Sequence, residues 1–177
     1  MGSTANESGA AAARQIVVMG VSGTGKSVIG TALAERLGFV FIEGDSFHPE
    51  SNIQKMSAGT PLNDEDRQPW LELLAAKLAA NRSAGNGSVL ACSALKRAYR
   101  DTLRRGASDA YFLHLDLPFD VLRERMEKRE HFMPSSLLQS QFDTLEPLES
   151  DERGHVLDFD APIPEVIEAA ATAVLES

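Results

Sequence analysis

The chain has 177 residues, 43% of them hydrophobic, and a formal net charge of −9. This length suffices for one domain with a sizeable core, and the negative charge argues against a nucleic-acid partner. No apolar run approaches the ~20 residues of a membrane span, so a membrane protein is not expected. Cys92 is the only cysteine, which excludes an intramolecular disulfide.

The first 13 residues are small and polar and then rich in alanine. They contain neither a basic start nor a 7–15-residue apolar stretch, so they do not resemble a signal peptide. We therefore predict a disordered tail over residues 1–13, a single domain over residues 14–177 and a cytoplasmic location.

Apolar strand-like runs alternate with helical patterns along the rest of the chain, which is typical of a parallel α/β sheet. The predicted strands span residues 15–19, 39–43, 88–92, 111–117 and 155–159. The predicted helices span residues 26–37, 49–58, 68–82, 96–104, 118–128, 135–145 and 163–175. Residues 131–134 interrupt the helical pattern, so residues 123–140 are interpreted as a mobile lid.

Residues 20–27 read GVSGTGKS and match the phosphate-loop pattern G-x-x-x-x-G-K-S/T between a predicted strand and a predicted helix. Glycines let successive backbone N–H groups face phosphate oxygens, and the helix N-terminus adds its dipole. The motif predicts ATP binding, with Lys26 reaching the β- and γ-phosphates and the Ser27 hydroxyl binding Mg²⁺. The nucleotide-binding residues predicted here are Gly20, Ser22, Gly23, Thr24, Gly25, Lys26 and Ser27.

The second predicted strand ends in Glu43, Gly44 and Asp45. Ligands bind beyond the carboxyl ends of the strands of an open parallel sheet, so Asp45 is expected beside the phosphate loop. There it would orient or deprotonate an acceptor hydroxyl and hold Mg²⁺ through water. The alternative is a cap for the segment that follows.

Four further sequence blocks are more specific for a family than the phosphate loop alone. Residues 46–56 read SFHPESNIQKM, residues 59–71 read GTPLNDEDRQPWL, residues 92–101 read CSALKRAYRD and residues 131–146 read HFMPSSLLQSQFDTLE. Together with the phosphate loop these blocks resemble the gluconate kinase family of phosphate-loop kinases, over about residues 15 to 160.

The resemblance implies ATP-dependent phosphorylation of D-gluconate at its 6-hydroxyl. It also implies a P-loop fold with a five-stranded parallel sheet flanked by helices, similar to shikimate and nucleoside-monophosphate kinases, and a homodimer. A kinase for another small polyol acid, such as shikimate, is the alternative. A GTP-binding switch is disfavoured because the chain has no N-K-x-D motif, and a motor-type ATPase would leave the later blocks unexplained.

A gluconate site needs cations for the carboxylate, preferably arginine, and polar groups for the hydroxyls. Arg67, Lys96 and Arg100 are the candidate cations, and Arg100 follows Lys96 by four residues, hence on one helix face. The carboxylates of Asp64 and Asp66 would accept hydrogen bonds from sugar hydroxyls, or Asp64 would merely cap the helix that follows. The side chains predicted to donate to substrate oxygens are His48 and His131, unless they are structural.

Arg125 and Arg129 also share a helix face. The resemblance to small phosphate-loop kinases implies that Arg125 packs on adenine and that Arg129 reaches the transferred phosphate as a catalytic residue beside Lys26 and Asp45. Residues 160–162 would supply part of the adenine wall. The alternative for the two arginines is surface pairing of little energetic consequence.

Overall fold

Five parallel strands form one sheet in the order β2-β3-β1-β4-β5 in the computed structural model, which describes residues 14–128, 135–158 and 160–177. The strands are β1 (Gln15–Met19), β2 (Val40–Glu43), β3 (Ser88–Ala91), β4 (Tyr111–Leu115) and β5 (Gly154–Leu157). β1 lies at the centre, with Val17 opposite Leu90 of β3 and Phe112 of β4. The predicted five-stranded parallel sheet is therefore confirmed.

The described α-helices follow the predicted order. They are α1 (Lys26–Leu37), α2 (Glu50–Ser57), α3 (Asp64–Ser83), α4 (Arg97–Gly106), α5 (Phe119–Glu127), α6 (Ser135–Thr144) and α7 (Ile163–Leu175). A 3₁₀ turn, Gly44–Phe47, that was not predicted follows β2. The predicted tail, residues 1–13, and the central part of the predicted lid, residues 129–134, lie outside the described residues.

The helices cover both faces of the sheet. α1 and α7 pack on one face, where Ile16 and Val18 of β1 point. α3, α4, α5 and α6 cover the other face, where the alternate residues Val17 and Met19 point. Strands buried on both faces are predominantly apolar, which is why β1 after Gln15 is a hydrophobic run, residues 16–19.

Helix α3 begins four residues before its predicted start. The Asn63 side chain accepts a hydrogen bond from the backbone N–H of Asp66, and the Asp66 carboxylate accepts one from the backbone N–H of Asn63. This capping box satisfies two N–H groups at the helix end. It fixes the first turn of α3, and with it the position of Arg67.

The carboxyl ends of the parallel strands share one edge of the sheet, and the phosphate loop leaves β1 there. β1 lies between β3 and β4. The chain crosses from β1 toward the β2 side of the sheet and later from β3 over to β4 on the other side, and such a change of direction opens a crevice at this edge. Among the described residues, no helix is both long and apolar enough to cross a membrane.

Candidate active site

The phosphate loop, residues 20–27, turns sharply from the end of β1 into α1. Gly20 has φ of 144°, and a Cβ at this position would lie 2.7 Å from the carbonyl oxygen of Leu115. Gly25, at the N-cap of α1, has φ of 93° in the left-handed region. Only glycine adopts both positions without strain, and the resulting loop ends at a helix N-terminus suited to phosphate.

The Lys26 side chain folds back over this loop. Its Nζ donates to the carbonyl oxygens of Gly20 at 2.9 Å and of Val21 at 3.0 Å. Burial lowers the pKa of Lys26, and the charge of nearby Asp45 opposes that shift. The ammonium group is thus held within the loop, where a phosphate oxygen can replace the carbonyl partners.

Two carboxylates lie near the start of α1. The Ser27 hydroxyl donates a hydrogen bond to Glu43, the last residue of β2. Asp45 follows two residues later, and its side chain is 73% exposed. Hydroxyl and carboxylate oxygens are ligands that Mg²⁺ accepts, so these residues fit the predicted ion. Within the described ranges no cluster of three or more acidic, histidine or cysteine side chains is placed to hold a metal, and Mg²⁺ commonly takes its other ligands from water and phosphate.

A cavity of about 180 Å³ adjoins the phosphate loop at Gly23, Thr24 and Gly25. Its apolar wall comes from the ends of β4 and β5 and the start of α7, through Leu115, Leu117, Leu157, Ile163 and Val166. Arg125 and Asp160 form an ion pair at its rim, with Nη2 and Oδ1 2.5 Å apart. An apolar slot beside a phosphate loop suits a planar base, and we call it the base cavity.

A second cavity, of about 70 Å³, also reaches the phosphate loop, through Ser22 and Lys26. We call it the acceptor cavity. Its other polar lining residues are Asp45, His48, Arg67, Ser93, Ser140 and Gln141. A nucleotide in the base cavity and a polar molecule in the acceptor cavity would therefore meet over the phosphate loop.

His48 is fixed at the acceptor cavity by its neighbours. Its ring stacks on Trp70 with centroids 3.9 Å apart, and the Asn52 amide nitrogen lies 3.2 Å from its Nδ1. Its Nε2 lies 3.8 Å from the Asp45 carboxylate. Burial lowers the pKa of His48, with Asp45 opposing, so the ring is neutral at pH 7 and able to exchange hydrogen bonds with hydroxyl groups.

Arg67 reaches the acceptor cavity from α3 and is held there by Tyr99. Its Nη1 donates to the Tyr99 hydroxyl at 3.0 Å, and that hydroxyl donates to Asp64. Lys96 completes the chain of contacts with a bond of 3.0 Å from its Nζ to Asp64. Hydrogen bonds from Tyr99 and then Lys96 lower the pKa of Asp64. This cluster of four side chains therefore contains one carboxylate, Asp64, and two cations, Arg67 and Lys96.

A family model described as an AAA domain matches residues 16–148. A gluconokinase of Gluconobacter oxydans is 53% identical over 140 residues, covering 78% of this chain and 79% of that protein. The chain belongs to the gluconokinase family.

Solved structures agree with this membership of the gluconokinase family. A gluconokinase from Sinorhizobium meliloti superposes with a TM-score of 0.83 at 47% identity, covering 92% of both chains. A sugar kinase from Janibacter sp. HTCC2649 superposes with a TM-score of 0.87 at 53% identity, covering 91% of this chain and 94% of that one. The predicted fold and family are thus confirmed.

Arg100 was predicted to contact the substrate of this gluconokinase-family chain, and the structure contradicts that prediction. The Arg100 side chain is fully buried, and its Nε and Nη2 donate to the Glu152 carboxylate at 2.7 and 3.0 Å. Its Nη1 donates to the carbonyl oxygen of Ala94 at 2.9 Å. Spacing placed Arg100 on the same helix face as Lys96, but Lys96 is the N-cap of α4 and lies outside the helix. Arg100 is a structural residue that anchors the loop after β3.

Other predicted site residues divide into three groups. Lys26, Asp45, His48 and Arg67 line the acceptor cavity, and Arg125 lines the base cavity. Asp64 and Lys96 pair with each other next to Arg67 but do not line either cavity. Arg129 and His131 lie outside the described residues. The substrate and catalytic roles of these residues stay predictions.

Five polar residues at the site were not predicted. Glu43 binds Ser27, Tyr99 binds Arg67, and the acceptor cavity is also lined by Ser93, Ser140 and Gln141. Tyr99, Ser93 and Gln141 all lie within the sequence blocks that carry the family resemblance. Reasoning from residue type favoured charged groups and passed over these neutral ones.

Proposed function

We propose that the protein is an ATP-dependent kinase that phosphorylates D-gluconate at its 6-hydroxyl. The observation that carries this proposal is the pair of cavities that meet at one phosphate loop, in a member of the gluconokinase family. The base cavity is largely apolar, and the acceptor cavity presents the Asp45 carboxylate, the His48 imidazole and the two cations Lys26 and Arg67. That polar set matches an acid that carries several hydroxyl groups.

ATP would bind with its phosphates on the loop and its adenine in the base cavity. The loop N–H groups and Lys26 would hold the phosphate oxygens, and the Arg125 guanidinium would lie on the adenine. Ser27, with Asp45 through water, would hold Mg²⁺, and Glu43 lies within reach of the same hydroxyl. When bound, Mg²⁺ neutralises part of the phosphate charge.

The transfer step is an in-line displacement. The acceptor oxygen forms a bond to the γ-phosphorus while the bond from that phosphorus to the bridging oxygen of ADP breaks. Asp45 orients the hydroxyl and accepts its proton, which then passes to solvent through the exposed side of the carboxylate. Lys26 stabilises the negative charge that spreads over the transferred group. Arg129, by family resemblance, would contact the same group.

Arg67 is proposed to bind the gluconate carboxylate. It is the cation of α3 that lines the acceptor cavity, and the Tyr99 hydroxyl holds its guanidinium in place. A guanidinium can give a carboxylate two parallel hydrogen bonds. His48 would exchange hydrogen bonds with sugar hydroxyls, and the buried ring of Trp70 keeps that imidazole in position.

A panel of acceptors tests the proposal. ADP release from Mg-ATP is measured with gluconate, glucose and shikimate at equal concentrations. We expect gluconate to be used at least tenfold better than either, because only gluconate combines an acyclic polyol with a carboxylate. Preference for shikimate would favour the alternative kinase, and equal use of glucose would show that the carboxylate is not recognised.

Assembly and location are proposed more coarsely. The family resemblance implies a homodimer, which light scattering of the purified protein would detect as a mass twice the 19.1 kDa of one chain. A cytoplasmic location, with gluconate and ATP as small-molecule substrates, completes the proposal.

A further inference from the structure

Helix α6 lies against the phosphate loop and is fixed there by apolar packing. Leu137 is 4% exposed and Leu138 is fully buried. Phe142 contacts Phe119 edge-on, with ring centroids 5.4 Å apart. Gln141 follows Leu137 by four residues and so shares its helix face, and both side chains line the acceptor cavity.

The Gln141 side chain binds the phosphate loop directly. Its Oε1 accepts a hydrogen bond of 2.7 Å from the backbone N–H of Ser22. Ser22, Lys26 and Gln141 all line the acceptor cavity. The Gln141 carboxamide is therefore hydrogen-bonded to the Ser22 N–H of the phosphate loop, on the side of the loop where the acceptor would bind.

The chemistry of a carboxamide suits this position. Its oxygen accepts and its NH₂ group donates two hydrogen bonds, and it carries no charge. A phosphoryl oxygen is a stronger acceptor than an amide oxygen because it is ionised. When the γ-phosphate arrives, the phosphoryl oxygen can take the Ser22 N–H, and the amide can then turn its nitrogen toward the same phosphoryl group without electrostatic repulsion.

We propose that Gln141 is a further catalytic residue, which contacts the transferred phosphoryl group beside the acceptor hydroxyl. The proposal deepens the proposed kinase function and rests on it. A purely structural role, in which Gln141 only ties α6 to the loop, makes a different prediction. Losing such a tie would disturb the loop for every nucleotide, whereas losing a contact to the phosphoryl group would affect only complexes that contain it.

Gln139 provides a matched control on the same helix. It is exposed, and its amide nitrogen donates to Asp143 at 2.8 Å, away from the cavity lining. The experiment compares the parent protein with Gln141→Leu, Gln141→Glu and Gln139→Leu. Three quantities are measured: kcat with ATP and gluconate, the affinity for Mg-ADP, and the affinity for Mg-ADP with aluminium fluoride and gluconate, which imitates the transferred group.

We expect Gln141→Leu to lower kcat by about 10- to 100-fold, somewhat less than the ~10²–10³-fold cost of removing one donor to an oxyanion. Gln141→Glu should lower it further, since a carboxylate opposes the phosphate charge. Both variants should bind Mg-ADP within about twofold of the parent but lose most of the aluminium fluoride complex. Gln139→Leu should match the parent in all three quantities.

Two results would overturn the proposal. One is a Gln141→Leu variant with the kcat of Gln139→Leu, and the other is a loss of Mg-ADP affinity as large as the loss of the aluminium fluoride complex. If Gln141→Leu does not fold, Gln141→Asn, which shortens the side chain by one methylene, replaces it. Parent turnover of gluconate is measured first, so failure of the proposed function is seen separately, and the best acceptor of the panel then replaces gluconate in the same comparison.

Discussion

Arg100 and Glu152 form a buried ion pair, with Arg100 Nε 2.7 Å from Glu152 Oε1 and both side chains fully inaccessible. Burial disfavours the ionised form of Glu152, but hydrogen bonds from Arg100, from the backbone of Glu149 and from Arg104 outweigh it and lower the Glu152 pKa to about 2. The pair joins α4 to the segment before β5. It also holds the loop that carries Ser93 to the acceptor cavity.

We therefore expect Arg100→Met to reduce stability rather than gluconate affinity. Removing Arg100 takes two hydrogen bonds from the buried Glu152 carboxylate and leaves Arg104 as its close cation, so the cost should be at most the ~3–5 kcal/mol of a buried ion pair that loses one partner. The free energy of unfolding is measured by urea denaturation, with Arg105→Met, an exposed arginine of the same helix, as the control. An Arg100→Met protein that is as stable as the control but has a raised KM for gluconate would restore the original substrate assignment.

Arg67→Met should raise the KM for gluconate by about 10- to 100-fold, the loss of a charge-assisted hydrogen bond of about 1.5–3 kcal/mol. ATP binding should hardly change, because Arg67 lines the acceptor cavity and not the base cavity. Steady-state kinetics with each substrate varied in turn give the two KM values. Arg82→Met, at the exposed far end of α3, is the control. An unchanged gluconate KM would direct attention to Lys96.

Buried His114 should make the free energy of unfolding depend on pH. This residue of β4 is 2% exposed, and its Nδ1 has no hydrogen-bond partner among the described residues. Burial lowers the pKa of His114, Asp116 opposes the shift, and Arg100 and Lys26 add to it. Because the unfolded chain takes up the proton at a higher pH than the folded chain, the free energy of unfolding should fall as the pH drops below about 6.5.

Replacing His114 with leucine should flatten this slope between about pH 6.5 and 5. The measurement is urea denaturation at several pH values, with His155→Gln, an exposed histidine of β5, as the control. The pKa of His48 is also lowered by burial, so part of the slope should remain. An unchanged slope in His114→Leu would assign the effect to other groups.

The elements nearest to strong local signals could be predicted from the sequence. β1, α1 and α7 have their predicted bounds. An apolar run predicts β1, the phosphate-loop motif predicts the start of α1, and apolar residues at helical spacing predict α7. The start of α3 was predicted late, since the capping box at Asn63 is a reciprocal contact that spacing alone does not reveal. Element type therefore followed from pattern, and element ends followed from specific side-chain contacts.

Site residues could be predicted only where their chemistry is carried by the chain locally. Lys26 and Asp45 follow strand ends, so the topology of a parallel sheet brings them to one edge. Arg100 was assigned wrongly because helix spacing shows which residues share a face but not whether that face is buried. Its partner Glu152 lies 52 residues later. Gln141 was not predicted because its side chain is uncharged and because Ser22, which it contacts, lies 119 residues earlier in the chain.

The most direct test of the kinase assignment is to identify the product by ³¹P NMR after incubating the protein with Mg-ATP and gluconate. We expect one phosphomonoester, 6-phosphogluconate, formed in equal amount to ADP. Lys26→Ala should slow its formation by about 10²–10³-fold, because Lys26 stabilises charge on the transferred group. Release of ADP and inorganic phosphate without phosphogluconate would contradict the kinase assignment, and so would a Lys26→Ala variant as active as the parent.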